Sequence, residues 1–204
     1  PRSTLFPYTT LFRSGGSGLV EATLLHEYIE KRFLDTGTPK ELTCIHALGI
    51  GDREDRGMNR FAHKGMVRRV IGGHWVWSPK MQQLARENSI EAYVLPGGVI
   101  MQLMREVAAK RPGLITHVGL GTFVDPLQDG GRMNEAAVDP LVERITIDGK
   151  DYLRYLPIPI DVALLKGSYA DDEGNISLDE EPANLDIYAM AAARSEERPV
   201  GNAS

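Results

Sequence analysis

The chain has 204 residues, 42% hydrophobic and 25% charged, a balance that suits one substantial globular domain. Its net charge of −5 argues against a general phosphate-backbone binder, which would be basic, so no nucleic-acid partner is expected. No apolar run approaches the roughly 18–20 residues of a membrane helix, no signal-peptide layout is visible, and one cysteine, Cys44, excludes an internal disulfide and suits a reducing cytoplasm.

Gly15-Gly16-Ser17-Gly18 opens onto a helical pattern in which Leu24, Leu25, Tyr28, Ile29 and Phe33 recur at three- and four-residue spacing, with Gly37 as its C-cap. A glycine loop entering a helix is an anion site, because free N–H groups and the helix dipole point at it. It is equally the look of an artificial linker. His26-Glu27 lacks the second histidine of a zinc helix, since Glu30 stands in its place, and no metal is expected there.

Leu42–Leu48 reads as a strand in which Cys44 is a small buried hydrophobe rather than a nucleophile. The loop Gly49-Ile50-Gly51-Asp52-Arg53-Glu54-Asp55-Arg56-Gly57 has neither the spacing nor the Lys-Ser/Thr pair of a P-loop. Arg53 and Arg56 either grip a carboxylate or phosphate, or belong to a solvated turn with internal ion pairs. Met66–Ile71 is a second strand, ending in Gly72-Gly73-His74-Trp75. Ser78-Pro79 then gives an N-cap and a first-turn proline for a helix to about Glu87. Glu91–Leu95 is a third strand, followed by Pro96-Gly97-Gly98 and a helix with Ile100, Leu103, Met104 and Val107 on one face, reaching Lys110.

Leu114–Val118 reads as a further buried strand, opening the loop Gly119-Leu120-Gly121-Thr122-Phe123-Val124-Asp125-Pro126 and a second glycine pair at Gly130-Gly131. This is no dinucleotide fingerprint, because Val124 replaces the third glycine. Arg144–Ile147 and Tyr152–Tyr155 alternate around Asp148-Gly149, a hairpin signal. Asp161–Leu165 is another strand, residues 170–175 form a polar turn without calcium-loop spacing, and a last helix is expected from about Asn184.

Strands alternating with helices predict an α/β fold: an open, mostly parallel sheet with helices on both faces and a hairpin-containing C-terminal part. The glycine loops following those strands describe a ligand crevice at one sheet edge. Its candidate residues are Gly16, Gly18, Gly51, Gly73, His74, Gly97, Gly98, Gly119, Gly121 and Phe123. No nucleophile elbow or Cys/His zinc cluster accompanies them.

The two ends break the pattern. Pro7-Tyr8-Thr9-Thr10-Leu11-Phe12-Arg13-Ser14 resembles a translated sequencing adapter, a scar common in metagenomic assemblies, and Arg194-Ser195-Glu196-Glu197-Arg198 resembles the opposite-strand adapter. Residues 1–14 and 194–204 are therefore expected to be non-native tails around a domain of 15–193. With Arg2, Arg13, Arg194, Arg198, Glu196 and Glu197 set aside, 19 basic residues face 26 acidic ones, a net of −7.

Five segments in order resemble the N-terminal, α-type half of class I coenzyme A transferases of the acetate/propionate and 3-oxoacid kind. They are residues 30–37 (Glu-Lys-Arg-Phe-Leu-Asp-Thr-Gly), 60–65, 69–75, 119–134 and 171–177. The resemblance covers nearly all of 15–193 and implies the coenzyme A transferase fold. It also implies transfer of coenzyme A from a short-chain acyl-CoA to an acceptor carboxylate such as acetate or a 3-oxoacid. In that chemistry a glutamate attacks the thioester, coenzyme A passes through a glutamyl thioester, and backbone N–H groups stabilise the oxyanions. Coenzyme A is thus a substrate, and no permanently bound cofactor is implied.

The family's glutamate lies in a Ser-Glu-Asn-Gly-like motif of the C-terminal half. Here Ser195-Glu196 is followed by Glu197, so the nucleophile is missing and the chain is expected to be an inactive fragment needing that half as partner. The intact protein is expected to be a cytoplasmic homo-oligomer. Two departures stand out: the N-terminal glycine loop lacks its proline, and Gly97 replaces a glutamine common in relatives. The rival reading is a non-catalytic ligand-binding or sensor domain on the same sheet.

Overall fold

The computed structural model describes residues 11–12, 22–164, 167–173, 175–177 and 193–196. In chain order the elements are β1 (Leu11–Phe12), α1 (Thr23–Thr36), β2 (Leu42–His46), a short 3-10 helix (Gly57–Phe61), β3 (Val67–Gly72), α2 (Pro79–Arg86), β4 (Glu91–Val94) and α3 (Gly97–Ala108). Then follow β5 (Leu114–Thr116), β6 (Val142–Ile147), β7 (Lys150–Tyr155), β8 (Ile160–Ala163), β9 (Tyr169–Ala170), β10 (Ile176–Ser177) and β11 (Ala193–Glu196). None of the helices among the described residues is long and apolar enough to cross a membrane. Gly16, Gly18 and the helix expected from Asn184 lie outside the described residues.

Strands β1 to β4 form one parallel sheet in sequence order. Cys44, Val70 and Ala92 are in register and pack on one face with Met81, Leu84 and Phe61. Their neighbours Ile45, Ile71 and Tyr93 pack on the other with Ile100, Leu103 and Met104 of α3. Side chains alternate across a strand, so a sheet covered on both faces needs apolar residues at every position. All five residues of β2 are accordingly buried. This is the α/β architecture expected from the sequence, and burial pushes the Cys44 thiol far above its usual range, as befits a core residue.

Three local expectations are corrected. Leu114–Val118 does not extend the parallel sheet: β5 keeps only three residues and pairs antiparallel with β7, itself hairpinned to β6 through Asp148-Gly149. Gly113 has φ +117° with its Cα packed on the Tyr155 carbonyl, which turns the chain toward the hairpin, and Ile115 is left 45% exposed. In α1 the core-facing stripe runs through the buried His26 and the half-buried Leu25, Ile29 and Phe33, while Leu24 and Tyr28 stand outside it, about two-thirds exposed. The 22–25–26–29–33 spacing is the tighter stripe, and it places an imidazole, not a leucine, against the Phe61 ring. Finally, the Ser78 hydroxyl does not cap α2. It donates to the Ile50 carbonyl, and Asn59 Oδ1 accepts the Lys80 N–H instead, at 3.1 Å.

Gly37 does cap α1, at φ +71° with its N–H on the Phe33 carbonyl. Two pairings involve the tail-like stretches: β1 lies beside β2, and β11 runs parallel to β8.

Candidate functional site

Parallel strands put their carboxyl ends on one side, where α/β sheets bind ligands. The chain leaves β2 at His46, β3 at Gly72 and β4 at Val94, and the three exits meet at the Ala47 carbonyl. Gly73 donates its N–H to the His46 carbonyl at 2.9 Å. A Cβ on Gly73 would collide with the Ala47 oxygen and stand 3.0 Å from the Gly97 Cα, and one on Gly97 would stand 2.6 Å from the same oxygen. Only glycine lets three backbones approach this closely. His46 lies beneath, its Nδ1 2.7 Å from the Leu48 carbonyl.

Gly97 also opens α3. Within the described residues no acceptor takes the N–H of Gly97 or Gly98, and a Cβ on Gly98 would meet nothing within 4 Å. This leaves an open helix N-terminus, where free amides and the dipole favour negative charge. The exposed His74 follows Gly73 in the chain, its ring beside Gly49 and its centroid 6.4 Å from that of Trp77. Gly51 is placed differently. It is buried at φ +136° against the Trp77 and Arg56 carbonyls, a tight turn rather than a ligand-facing loop.

The loop from Gly119 to Gly131 reaches the same end of the sheet by another route. It follows β5, not a parallel strand, but the Gly131 carbonyl accepts the Val94 N–H at 2.8 Å and Tyr93 bridges Arg132. That stitches it to the carboxyl end of β4. Its internal order comes from Asp125, fully buried, whose carboxylate accepts the Gly121 N–H (2.8 Å), the Leu127 N–H (3.1 Å) and Arg144 Nη1 (2.8 Å). The Gly121 N–H, then those of Leu127 and the Arg144 charge, hold its pKa below the usual carboxylate range against the opposing effect of burial.

This separates the two expected glycines. The Gly121 N–H is engaged by Asp125, whereas that of Gly119 meets no acceptor among the described residues. Gly119, at φ +100°, packs on Val124 and would set a Cβ 2.5 Å from the Tyr155 hydroxyl; Gly121, at φ +71°, faces open space. Tyr155 in turn donates to the Val118 carbonyl at 2.9 Å, and burial, then the Asp125 charge, pushes its pKa up to about 12. Phe123 is half-exposed.

Sequence reasoning did not single out Asp125. The signal was present: an acid followed by proline between two glycine pairs, where an Asx-type side chain can close a loop on its own backbone. Two clefts of about 260 and 510 Å³ lie elsewhere, around Met133, Asn134 and Glu135. The smaller lies between α2 and residues 133–135, near the Ile90 carbonyl that Asn134 bonds; the larger is lined also by Gln128, Asp129 and Arg132 and so borders the outer end of the Gly119–Gly131 loop.

Fold and loops together define a class: a two-faced α/β domain with receptive backbone amides at the carboxyl end of its parallel strands. The coenzyme A transferase family model matches residues 15–196, and the chain belongs to that family. It is 40% identical over 178 residues to the acetate CoA-transferase YdiF of Escherichia coli (strain K12), covering 87% of this chain and 34% of that protein. It is 43% identical over 168 residues to the caffeate CoA-transferase of Acetobacterium woodii, covering 82% and 32%. The crystal structure of the acyl-CoA transferase YdiF apoenzyme from E. coli O157:H7 superposes with a TM-score of 0.80 at 38% identity, covering 84% of this chain and 34% of that one. The chain therefore spans about a third of the length of these relatives.

Proposed function

We propose that this chain is the α-type half of an acyl-CoA:carboxylate coenzyme A transferase. It carries the oxyanion-stabilising loops and is inactive until a C-terminal half brings a glutamate to them. The observation that carries this reading is the junction at Ala47, where Gly73 and Gly97 leave room for backbone only and the Gly97 and Gly98 N–H groups stay open. When the attacking carboxylate adds to a thioester, charge develops on the carbonyl oxygen, and preorganised N–H donors stabilise it without reorganisation. Gly97, Gly98 and Gly119 supply such donors, with His74 and Phe123 lining the approach. Gly97 offers no side-chain amide, so backbone groups alone fill this role.

The substrates are a short-chain acyl-CoA and a carboxylate such as acetate or a 3-oxoacid, in a soluble compartment such as the cytoplasm. The intact enzyme is a homo-oligomer. The domain responsible is 15–193; the pairing of Leu11–Phe12 with β2 is the observation that pulls against leaving residues 1–14 out of it.

The test is reconstitution. The chain alone, given butyryl-CoA and acetate, should form no acetyl-CoA. Mixed with a separately produced C-terminal half carrying the glutamate, it should restore transfer. Turnover by the chain alone, or none in a mixture shown to associate, overturns the reading.

A further inference from the structure

The mechanism above leaves one group beside the glycine junction without a task. Arg53 has φ +73°, a left-handed backbone that a long side chain rarely adopts. Its N–H is tied to the Trp77 carbonyl at 3.0 Å, and its guanidinium lies 4.6 Å from the centre of the Trp77 ring. The charges around it are otherwise matched: Asp52 accepts the Glu54 and Arg56 N–H groups and pairs with Arg56 at 3.8 Å, while Asp55 pairs with Lys80. Glu54 is next in sequence, yet among the described residues no carboxylate pairs with Arg53. Arg53 is exposed, with its guanidinium over the Trp77 ring and its backbone constrained.

Its place is the rim of the candidate site. Gly49 packs on the Trp77 ring, and a Cβ there would stand 2.5 Å from His74 Nδ1. Gly49 is two residues from Ala47, so its Cα lies at most about 7 Å from that of Ala47, the meeting point of the loops. The Trp77 face is already covered by Arg53, which disfavours an aromatic or cationic ligand. What stays free is a planar fork of N–H donors, the geometry that matches carboxylate and phosphate.

We infer that Arg53, laid across Trp77, is an anion-recognition residue at the rim of the glycine-loop site, taking an oxyanion that the substrate carries away from its reacting carbonyl. The identity of the substrate rests on the transferase reading; the anion preference rests on the geometry alone. Two sources share that chemistry: the phosphates of coenzyme A, and the distal carboxylate of a dicarboxylic acceptor.

Isothermal titration of the full chain separates them, using coenzyme A against pantetheine, which lacks phosphate, and succinate against acetate, which lacks a second carboxylate. The variants are Arg53→Asn, whose short side chain tolerates the left-handed backbone, and Arg53→Lys, which keeps the charge but loses the fork. Coenzyme A or succinate should bind saturably to the parent chain, at least tenfold more weakly to Arg53→Asn and in between for Arg53→Lys. Pantetheine and acetate should not distinguish the three proteins. A loss confined to coenzyme A assigns the phosphates, and one confined to succinate assigns the carboxylate. The inference is overturned if neither anion binds the parent, or if Arg53→Asn binds both as tightly. Undiminished transfer by the reconstituted Arg53→Asn enzyme in that second case would leave the transferase reading standing.

Discussion

Two regions reach the carboxyl end of the parallel sheet, and opposite means hold them there. Around Ala47 the chain is fixed by what is missing: Gly73 and Gly97 have no side chain, so three backbone segments touch and no charged group takes part in the contact. From Gly119 to Gly131 the chain is fixed by what is present: one buried carboxylate gathers two N–H groups and a guanidinium. Steric exclusion has no dependence on pH or salt, whereas a buried carboxylate that accepts N–H groups and pairs with an exposed guanidinium depends on keeping its charge. The first region should therefore fail only by substitution, and the second by substitution or by acid.

The largest effect belongs to the first. Gly73→Val forces branched carbon into the Ala47 carbonyl, a backbone atom that cannot rotate away. Overpacking that side chains can absorb costs about 1–3 kcal/mol; here the sheet itself must part. The variant should show no cooperative thermal transition by circular dichroism. A folded Gly73→Val protein would mean that the close approach is not required.

Asp125→Ala tests the second region. Removing Asp125 takes a charged acceptor from two backbone N–H groups, while the exposed Arg144 keeps a second partner in Asp151 at 2.8 Å, so the loss should be about 1.5–3 kcal/mol, the worth of a hydrogen bond to a charged group. The denaturation midpoint should fall accordingly, with the loss concentrated in hydrogen-exchange protection of residues 119–131. The folded pKa of Asp125 lies below its ordinary value. Its contribution is therefore complete above the unfolded value, near 4, and is lost as pH falls through the lower folded one. An unchanged acid limb in Asp125→Ala would remove this carboxylate from the account.

Acid reaches another part of the molecule first, and that has to be separated. His26 is buried, and its pKa is lowered to about 4 by burial and then by the Arg60 charge. It stays neutral when folded but binds a proton when unfolded below about 6.5, so stability is intact above that value and declines beneath it. The loss should be roughly 2 kcal/mol by pH 5. His26→Phe should abolish this limb while leaving the Asp125 limb below pH 4 in place. A parent protein equally stable at pH 7 and pH 5 would contradict the neutral buried imidazole.

Much of this arrangement was legible in the sequence because it is local. Gly37 ends a helix and Asp148-Gly149 turns a hairpin through the φ each position needs, and the alternation of strands and helices fixes the doubly covered sheet. What was not legible depends on partners distant in sequence. Leu114–Thr116 reads as a strand whichever sheet accepts it, and only the β7 edge decides. Ser78 carries the signature of a cap, but Asn59 arrives from another element to do that work. Asp125 carries a local signal in its Asx-type closure on Gly121 and Leu127, but its pairing with Arg144, 19 residues away, could not be read. The glycine loops were found as loops; which of their amides are free could not be read, since Gly121 loses its own only to a carboxylate that folds back on it.

The finest test of the comparison lies in two adjacent residues. Gly97 and Gly98 both open α3 and share the same helical propensity, so sequence alone gives no reason to separate them. Their surroundings do: a Cβ at Gly97 would press on the Ala47 oxygen at 2.6 Å, and one at Gly98 would enter open space. Neither has the positive φ at which only glycine is comfortable. Gly98→Ala should thus stabilise the chain by up to about 0.5–1 kcal/mol, because alanine loses less backbone freedom on folding. Gly97→Ala should destabilise it by about 1–3 kcal/mol through overpacking. The two thermal midpoints should move in opposite directions. If both rise, the junction at Ala47 has room to spare and its glycines are conveniences of the helix start. If both fall, the space beside Gly98 is already filled by a neighbour, and the open amides assigned to that helix end are covered as well.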